Sequence, residues 1–322
     1  MVRNANVLVA GASGLMGSNI VPRLLEMGAK VRATYCKHVP LDMDPRVEYI
    51  QCDLTKREKC DEVTNDMKYV MILAANTSGS AVMHSSPLVH VTPNILINSQ
   101  LLESAYLGGT EKVLFLSSTA AYPFAGEYSI TEDMMFDGDP FEKYYCVGWM
   151  KRYTEILCRM YSEKLSRKMP CVVLRPANVF GPYDKFNPHT SHVMAALLRK
   201  AADRLNPFEV WGDGSDVKDF IYVDDMIDAM MISMEKIDHF EPINIGRGET
   251  YSIKDVLRII WEVDDFHPEV VFNSSKPSMI PIRVCSVEKS KALLGFVPKT
   301  DIPAAIRHTL KWYKANKDRI TR

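Results

Sequence analysis

Near the start of the chain an apolar run, Val7-Leu-Val-Ala10, leads directly into Gly11-Ala-Ser-Gly14-Leu-Met-Gly17, and a helical pattern follows with Leu15, Ile20, Leu24 and Leu25 on one face. No other feature limits the fold so strongly. Three glycines between a strand and a helix allow a tight turn, close approach of the backbone to a pyrophosphate, and tight contact between helix and strand. The free N–H groups of the helix N-terminus then face the phosphates. The strand before and the helix after separate this pattern from an ordinary glycine turn. Gly11, Gly14 and Gly17, with Leu15 and Met16 between them, are therefore the first candidate dinucleotide-binding residues.

The rest of the first half repeats the same alternation. Val31 to Tyr35, Val47 to Gln51, Tyr69 to Leu73, Val113 to Leu116 and Val172 to Leu174 read as strands separated by helix-length segments. Continuous apolar strands of this kind indicate βαβ units and a parallel sheet covered on both faces. Pro22 interrupts the first helical pattern, and a kink or a local tolerance is expected there. Beyond Pro176 the pattern loosens into turn chemistry at Gly181-Pro182, Asn187-Pro188 and Gly212-Asp-Gly214. Helical stretches return at Val193–Ala202, Ile253–Val263 and Ile302–Ala315, and Phe220–Val223 and Ile243–Ile245 are expected to rejoin the first sheet. The fold class is α/β. It pairs a doubly wound Rossmann-type domain, 1–177 with about 219–247, with a smaller mixed α/β substrate domain, about 178–218 with 248–322.

Charge and cysteine usage remove other classes. Lys+Arg is 39 against Asp+Glu 40, a net charge of -1, which recruits neither nucleic acid nor an anionic membrane. The seven cysteines include no CxxC pair and the eight histidines no HExxH, so neither a disulfide framework nor a metal site is expected. No segment approaches the ~20 apolar residues of a membrane span. A cytoplasmic protein is the expectation.

The end of the second strand should distinguish NAD from NADP, because an acidic residue there hydrogen-bonds the adenosine ribose. Tyr35 occupies that position with no acid beside it, and Arg32 or Lys37 could meet a 2′-phosphate. Asp53-Leu54, after the third strand, is a candidate adenine contact or an ordinary helix cap. Ser117-Ser118-Thr119 ends a strand, where ligands of open α/β sheets bind, and Lys151 lies in a helical segment further on.

At these residues the chain resembles the extended short-chain dehydrogenase/reductase family over essentially its whole length. Gly11/Gly14/Gly17, Asp53-Leu54, Leu73-Ala74-Ala75, Asn98, Ser118 four residues before Tyr122, Lys151 with Glu155, Arg175-Pro176 with Asn178, and Phe220-Ile-Tyr-Val-Asp224-Asp225 carry the resemblance. Within it the stretches Gly181–Val193 and Val210–Ile221 are similar to the GDP-sugar branch around GDP-fucose synthase. The resemblance implies a nicotinamide cofactor near Ala74, Ala75 and Lys151, and a GDP-sugar near Asn178, His192, Val193, Lys218 and Arg283, with Trp211 either lining the guanine side or part of the core. It also implies a homodimer.

The departures from the family pattern narrow the expected chemistry. In the family a tyrosine four residues before the lysine exchanges a proton with the substrate; here that position is Val147, and Tyr144, one helical turn earlier, is read first as a packing or substrate contact and only second as a stand-in. The cysteine of the 3,5-epimerising pair is replaced by Ala120, so only His192 of that pair remains, and the dehydratase Asp-Glu after Thr119 is Ala120-Ala121. Ser118, Thr119 and Lys151 are left as the catalytic candidates, with Val147 in the phenol position. This set resembles the bacterial GDP-mannoheptose 4-dehydrogenases of capsule heptose biosynthesis, which implies NAD-dependent oxidation at C4. NADP-dependent 4-keto reduction, epimerisation, and a non-catalytic NAD(P)-binding role are the alternatives.

Overall fold

The computed structural model describes residues 2–77, 82, 86–276 and 279–320. The chain lays down β1 (Asn6–Ala10), α1 (Leu15–Glu26), β2 (Lys30–Tyr35), β3 (Glu48–Gln51), α2 (Arg57–Thr64), β4 (Tyr69–Ile72), α3 (Thr92–Leu107), β5 (Lys112–Leu116), α4 (Tyr145–Glu163) and β6 (Cys171–Pro176). It continues through β7 (Asn178–Phe180), α5 (Val193–Ala202), β8 (Phe208–Trp211), β9 (Val217–Tyr222), α6 (Val223–Lys236) and β10 (Glu241–Ile245). The last part holds β11 (Thr250–Ser252), α7 (Ile253–Asp264), β12 (Val270–Asn273), β13 (Ile282–Arg283), α8 (Glu288–Leu294) and α9 (Ile302–Asn316).

Seven of these strands form one parallel sheet in the order β10-β6-β5-β4-β1-β2-β3. Successive side chains of a strand point to opposite faces, and β1 shows the result: Val7 and Val9 enter one buried cluster with Ile20 and Leu24 of α1. Leu8 and Ala10 enter the other, with Leu101 of α3 and Cys158 of α4. Burial on both faces is why β1, after Asn6, and β4 read as unbroken apolar runs. The strand order reverses between β1 and β4, and the carboxyl ends of those two strands open the crevice in which a doubly wound sheet binds its ligand.

The expected α/β architecture is therefore the observed one, and α1 runs straight through Pro22. Ile243–Ile245 joins the sheet as β10, paired with β6. Phe220–Val223 does not. β9 lies in a second sheet, between β11 and β13 with β7 also on it, and Val223 opens α6. The reason is visible at Asp219: its buried carboxylate accepts the backbone N–H groups of Arg247 and Gly248, both at 3.0 Å, which fixes β9 beside the β10–β11 connection. Burial pushes this carboxyl up to about 6 against those two donors. All seven cysteines are free, and no helix among the described residues is long and apolar enough to cross a membrane.

Candidate active site

The turn after β1 is built for an anion. Gly11 has φ +100°, and its N–H and that of Ala12 donate to Thr34 O at 3.2 and 2.7 Å, which holds the turn on the end of β2. A Cβ on Gly11 would stand 2.7 Å from the backbone of Ala74, and one on Gly17 would overlap the Gly11 carbonyl. The first turn of α1 has no side-chain cap at Gly14 and no acidic residue. Its N–H groups and its dipole thus remain for a diphosphate, and the residues present fit the dinucleotide that the sequence pattern implies. Met16 is buried and Leu15 half-buried against the core at this turn.

The neighbouring strand ends supply the remaining candidates for this ligand. Asp53 is exposed, and its Oδ1 accepts from the N–H and hydroxyl of Thr55 at 3.0 and 2.8 Å, which holds the carboxyl below its ordinary value. Leu54 behind it is buried. Arg32 is committed elsewhere: Nε donates to Glu48 at 2.8 Å and Nη1 to the carbonyls of Val63 and Asn65. That removes one of the two cations argued for a 2′-phosphate. At the end of β4, Ala74 is half-buried against the glycine turn and Ala75 is exposed.

At the end of β5 three hydroxyls have three different fates. Ser117 Oγ donates to Glu155 Oε1 at 2.5 Å. Thr119 is buried and its hydroxyl donates to Pro176 O at 3.1 Å. Ser118 is half-buried; its Oγ accepts from Ala120 N at 3.1 Å, leaving its O–H and one lone pair for a ligand. Lys151 of α4 comes to the same strand, where Nζ donates to Leu116 O at 2.8 Å and lies over the Phe115 ring. Burial pulls this ammonium down to about 8, against the opposing charge of Glu155. Val147, half-buried one turn earlier, offers no proton.

Behind these groups a buried network fixes the strand end. Arg175 grips Glu155 through Nε–Oε1 at 3.1 Å and Nη2–Oε2 at 2.6 Å, and its Nη1 donates to Tyr122 Oη at 2.7 Å and Glu132 O at 2.8 Å. Tyr122 Oη in turn donates to Asn244 Oδ1 at 2.7 Å. Tyr122 is thereby a core phenol, pushed well up by burial.

The second lobe contributes cations. β13 pairs with β9 so that Arg283 stands beside Lys218. Burial holds both below their ordinary values. Arg283 is anchored on Pro123 O at 2.8 Å with its Nε buried and unpartnered, while Lys218 donates to Ile280 O and to Asp216 at 3.3 Å. Tyr144 interacts electrostatically with Arg283. This tyrosine ends a short 3-10 turn and precedes α4 rather than sitting on it, which counts against the lesser, stand-in reading of this residue. Burial pushes its phenol up to about 12, despite the attraction of Arg283.

His192, directly before α5, is an exposed residue, and the protein around it, with Lys185 and His90, lowers its imidazole below the ordinary histidine value. Val193 begins α5, half-buried. Asn178 uses its amide on Asp219 O at 2.9 Å. Trp211 is 37% exposed beneath Lys276 and so is no core residue. A cavity of about 310 Å³ between α1 and the β2–β3 loop, lined among others by Val21, Leu25, Met43 and Tyr49, contains none of the residues at the β5 end. Among the described residues no cluster of three metal-ligating side chains occurs. His90 was not singled out from the sequence, because one histidine in a short turn carries no spacing signal.

Comparison with known proteins agrees with this geometry. The family model of the NAD dependent epimerase/dehydratase family matches residues 7–246. A putative GDP-L-fucose synthase 2 of Arabidopsis thaliana is 29% identical over 320 residues, covering 98% of this chain and 93% of the relative. A GDP-mannose 3,5-epimerase 1 of Oryza sativa subsp. indica is also 29% identical, covering 96% and 81%. In fold the chain is similar to a UDP-glucose 4-epimerase of Thermotoga maritima, with a TM-score of 0.88, 24% identity, and 97% and 99% of the two chains covered. It is likewise similar to a GDP-6-OMe-4-keto-L-xylo-heptose reductase of C. jejuni, with a TM-score of 0.86, 23% identity, and 98% and 99% covered.

Proposed function

The chain belongs to the NAD dependent epimerase/dehydratase family, and from that premise we propose that it oxidises the C4 hydroxyl of a GDP-linked sugar to a 4-keto sugar, GDP-mannoheptose being the favoured substrate. One observation carries the reading. Lys151 reaches the Leu116 carbonyl, two residues before Ser118 at the end of β5, while Val147 and Ala120 stand where a phenol and a second acid/base group would be needed for inversion. The site therefore has the parts of an oxidation site and lacks a complete epimerising pair. NAD, when bound, accepts the hydrogen and the electron pair that leave the alcohol carbon; NADP is the less favoured cofactor now that Arg32 is engaged.

In this reading Gly11, Gly14, Gly17 and the first N–H groups of α1 hold the diphosphate of the dinucleotide, with Leu15, Met16, Asp53, Leu54, Ala74 and Ala75 around it. Ser118 orients the sugar hydroxyl through its remaining O–H and lone pair. Lys151 places a cation next to the oxygen that loses its proton, where low solvent access strengthens the attraction. Thr119 fixes the turn through Pro176 O. Lys218 and Arg283 neutralise the pyrophosphate of the sugar nucleotide. Asn178, His192 and Val193 complete the substrate wall, the substrate domain being assigned to about 178–218 with 248–322.

The test incubates purified protein with GDP-mannoheptose, and separately GDP-mannose, with NAD or NADP and an external oxidant. A product lighter by two hydrogens, formed with NAD, is the expected result. A change of configuration without a change of mass would mean epimerisation. Turnover only from a keto sugar with NADPH would mean reduction, and binding without any product would mean a non-catalytic role. Val147→Tyr is expected to fold normally and to raise turnover or alter product partitioning.

Homodimer formation is proposed through α3 and α4. Tyr145, Trp149, Tyr153 and Ile156 of α4 are 38–50% exposed at helical spacing, an apolar stripe that a lone subunit would leave in water. Sedimentation velocity is expected to show a dimer for the natural chain and a monomer for Ile156→Glu. A natural chain sedimenting as a monomer at micromolar concentration would remove the assignment.

A further inference from the structure

Oxidation of an alcohol requires a group that takes its proton, and α4 presents Val147 where a phenol would do so. We infer that His90 is that proton acceptor; the inference rests on the oxidation reading above. His90 closes the 3-10 turn Pro87–His90 and is 2% exposed. Its Nδ1 lies 3.0 Å from Asn76 O, a carbonyl that can only accept, so in the neutral ring Nδ1 carries the proton and Nε2 keeps the lone pair. That Nε2 is buried and has no hydrogen-bond partner.

The ring is held in this state by its surroundings. Asn94 donates through Nδ2 to Asn76 O at 3.0 Å and to His90 O at 2.7 Å, and its Oδ1 accepts Asn76 N at 2.7 Å. Asn76 Nδ2 donates to Val89 O at 2.8 Å. A base oriented by a hydrogen bond on its far nitrogen, with its near lone pair unused, is the arrangement that proton abstraction requires.

Its place in the fold matches the role. Asn76 follows Ala74 and Ala75 at the carboxyl end of β4, beside the glycine turn. The Pro87–His90 turn packs against α3 and against α4, the helix that carries Val147 and Lys151. A charge on His90 would also be felt at His192. On this inference Nε2 is directed toward the site that the lysine helix borders, where one water would link it to the sugar hydroxyl.

Atoms and electrons balance in this step. The O–H bond of the alcohol breaks and its proton forms an N–H bond at Nε2, giving an imidazolium. The C4–H bond breaks with its hydrogen and electron pair passing to the NAD oxidant of the proposed reaction, and the carbon–oxygen bond becomes a carbonyl. A purely structural histidine would need only Nδ1, and that difference is what the variants read.

His90→Asn keeps an N–H donor for Asn76 O and removes the Nε2 position. It is expected to retain the melting temperature and bound NAD of the natural chain while turnover falls ~10²–10⁴-fold. Turnover close to that of the natural chain would overturn the inference and leave the oxidation reading intact. The second measurement needs no turnover and no variant: nitrogen spectra of the 15N-histidine-labelled holoenzyme, alone and with GDP or GDP-mannose. For the neutral ring a protonated Nδ1 and bare Nε2 are expected, with Nε2 shifted by GDP-mannose and unmoved by GDP. A protonated Nε2, or one that ignores GDP-mannose, would overturn the inference. If Nε2 responds but no GDP-sugar is oxidised, the oxidation reading fails while the contact of His90 with the sugar is supported.

Discussion

Lys151→Met is expected to lower turnover by ~10²–10⁴-fold, with the loss falling mainly on kcat, because the ammonium acts on charge that develops only as the alcohol is oxidised. The same substitution makes a separate, signed prediction about stability. The folded amine titrates at about 8 through burial, against an ordinary lysine value of 10.5. Between those two values the unfolded chain binds a proton that the folded chain does not, so this group makes stability rise with pH across that window. Below about 8 both forms are charged, and the folded state carries the full penalty of a buried cation, on the order of 3 kcal/mol. Lys151→Met removes that penalty and also leaves Leu116 O without its donor. Relative to the natural chain, the variant should therefore be best placed near pH 7 and lose ground as pH rises to about 9.5. Urea unfolding of both proteins at the two pH values checks this. A stability difference that does not change with pH would show that the amine is not held down by burial.

Glu155→Leu is expected to destabilise the fold by about 3–5 kcal/mol. Glu155 and Arg175 are each 2% exposed and joined at 2.6 Å, so removing the carboxylate leaves a buried guanidinium without its hydrogen-bonded countercharge. It also strips Ser117 of its acceptor at the strand end that positions Ser118. Arg175 remains tied to Tyr122 and Glu132 O, which are neutral partners and do not replace the lost charge. The double change Glu155→Leu with Arg175→Met should be far less harmful than the sum of the single changes, since buried ion pairs tolerate apolar replacement better than half-removal. Denaturant unfolding of the two singles and the double closes the cycle. Additive effects would mean that the pair does not act as a unit.

How far these features could be read from the sequence follows from how local their causes are. The sheet was legible because strands covered on both faces are largely apolar, as β4 is throughout and β6 is from Cys171 to Leu174. The glycine turn was legible because its geometry belongs to the backbone. Phe220–Val223 was recognisable as an extended run but not assignable to a sheet, since the deciding contact joins Asp219 to N–H groups almost thirty residues later. Tyr144 read as helical from its spacing, whereas the helix starts one residue after it. Ser118 and Lys151 could be found by spacing, whereas the orientation of His90 depends on Asn76 and Asn94, two segments whose meeting no local pattern announces.

The return of the chain to its first sheet has a consequence for how the molecule can be altered. β6 ends at Pro176, yet its outer edge is covered by β10, which arrives only at Glu241–Ile245, after β7 and β9 of the second sheet have been laid down. A fragment stopping near residue 177 would carry a bare, apolar strand edge ready to pair with another chain. Neither lobe is thus a transferable cassette. Exchanging one block of sequence for a homologous block would cut across both lobes at once, and a new substrate preference is more accessible by single replacements on the cleft walls than by recombining halves.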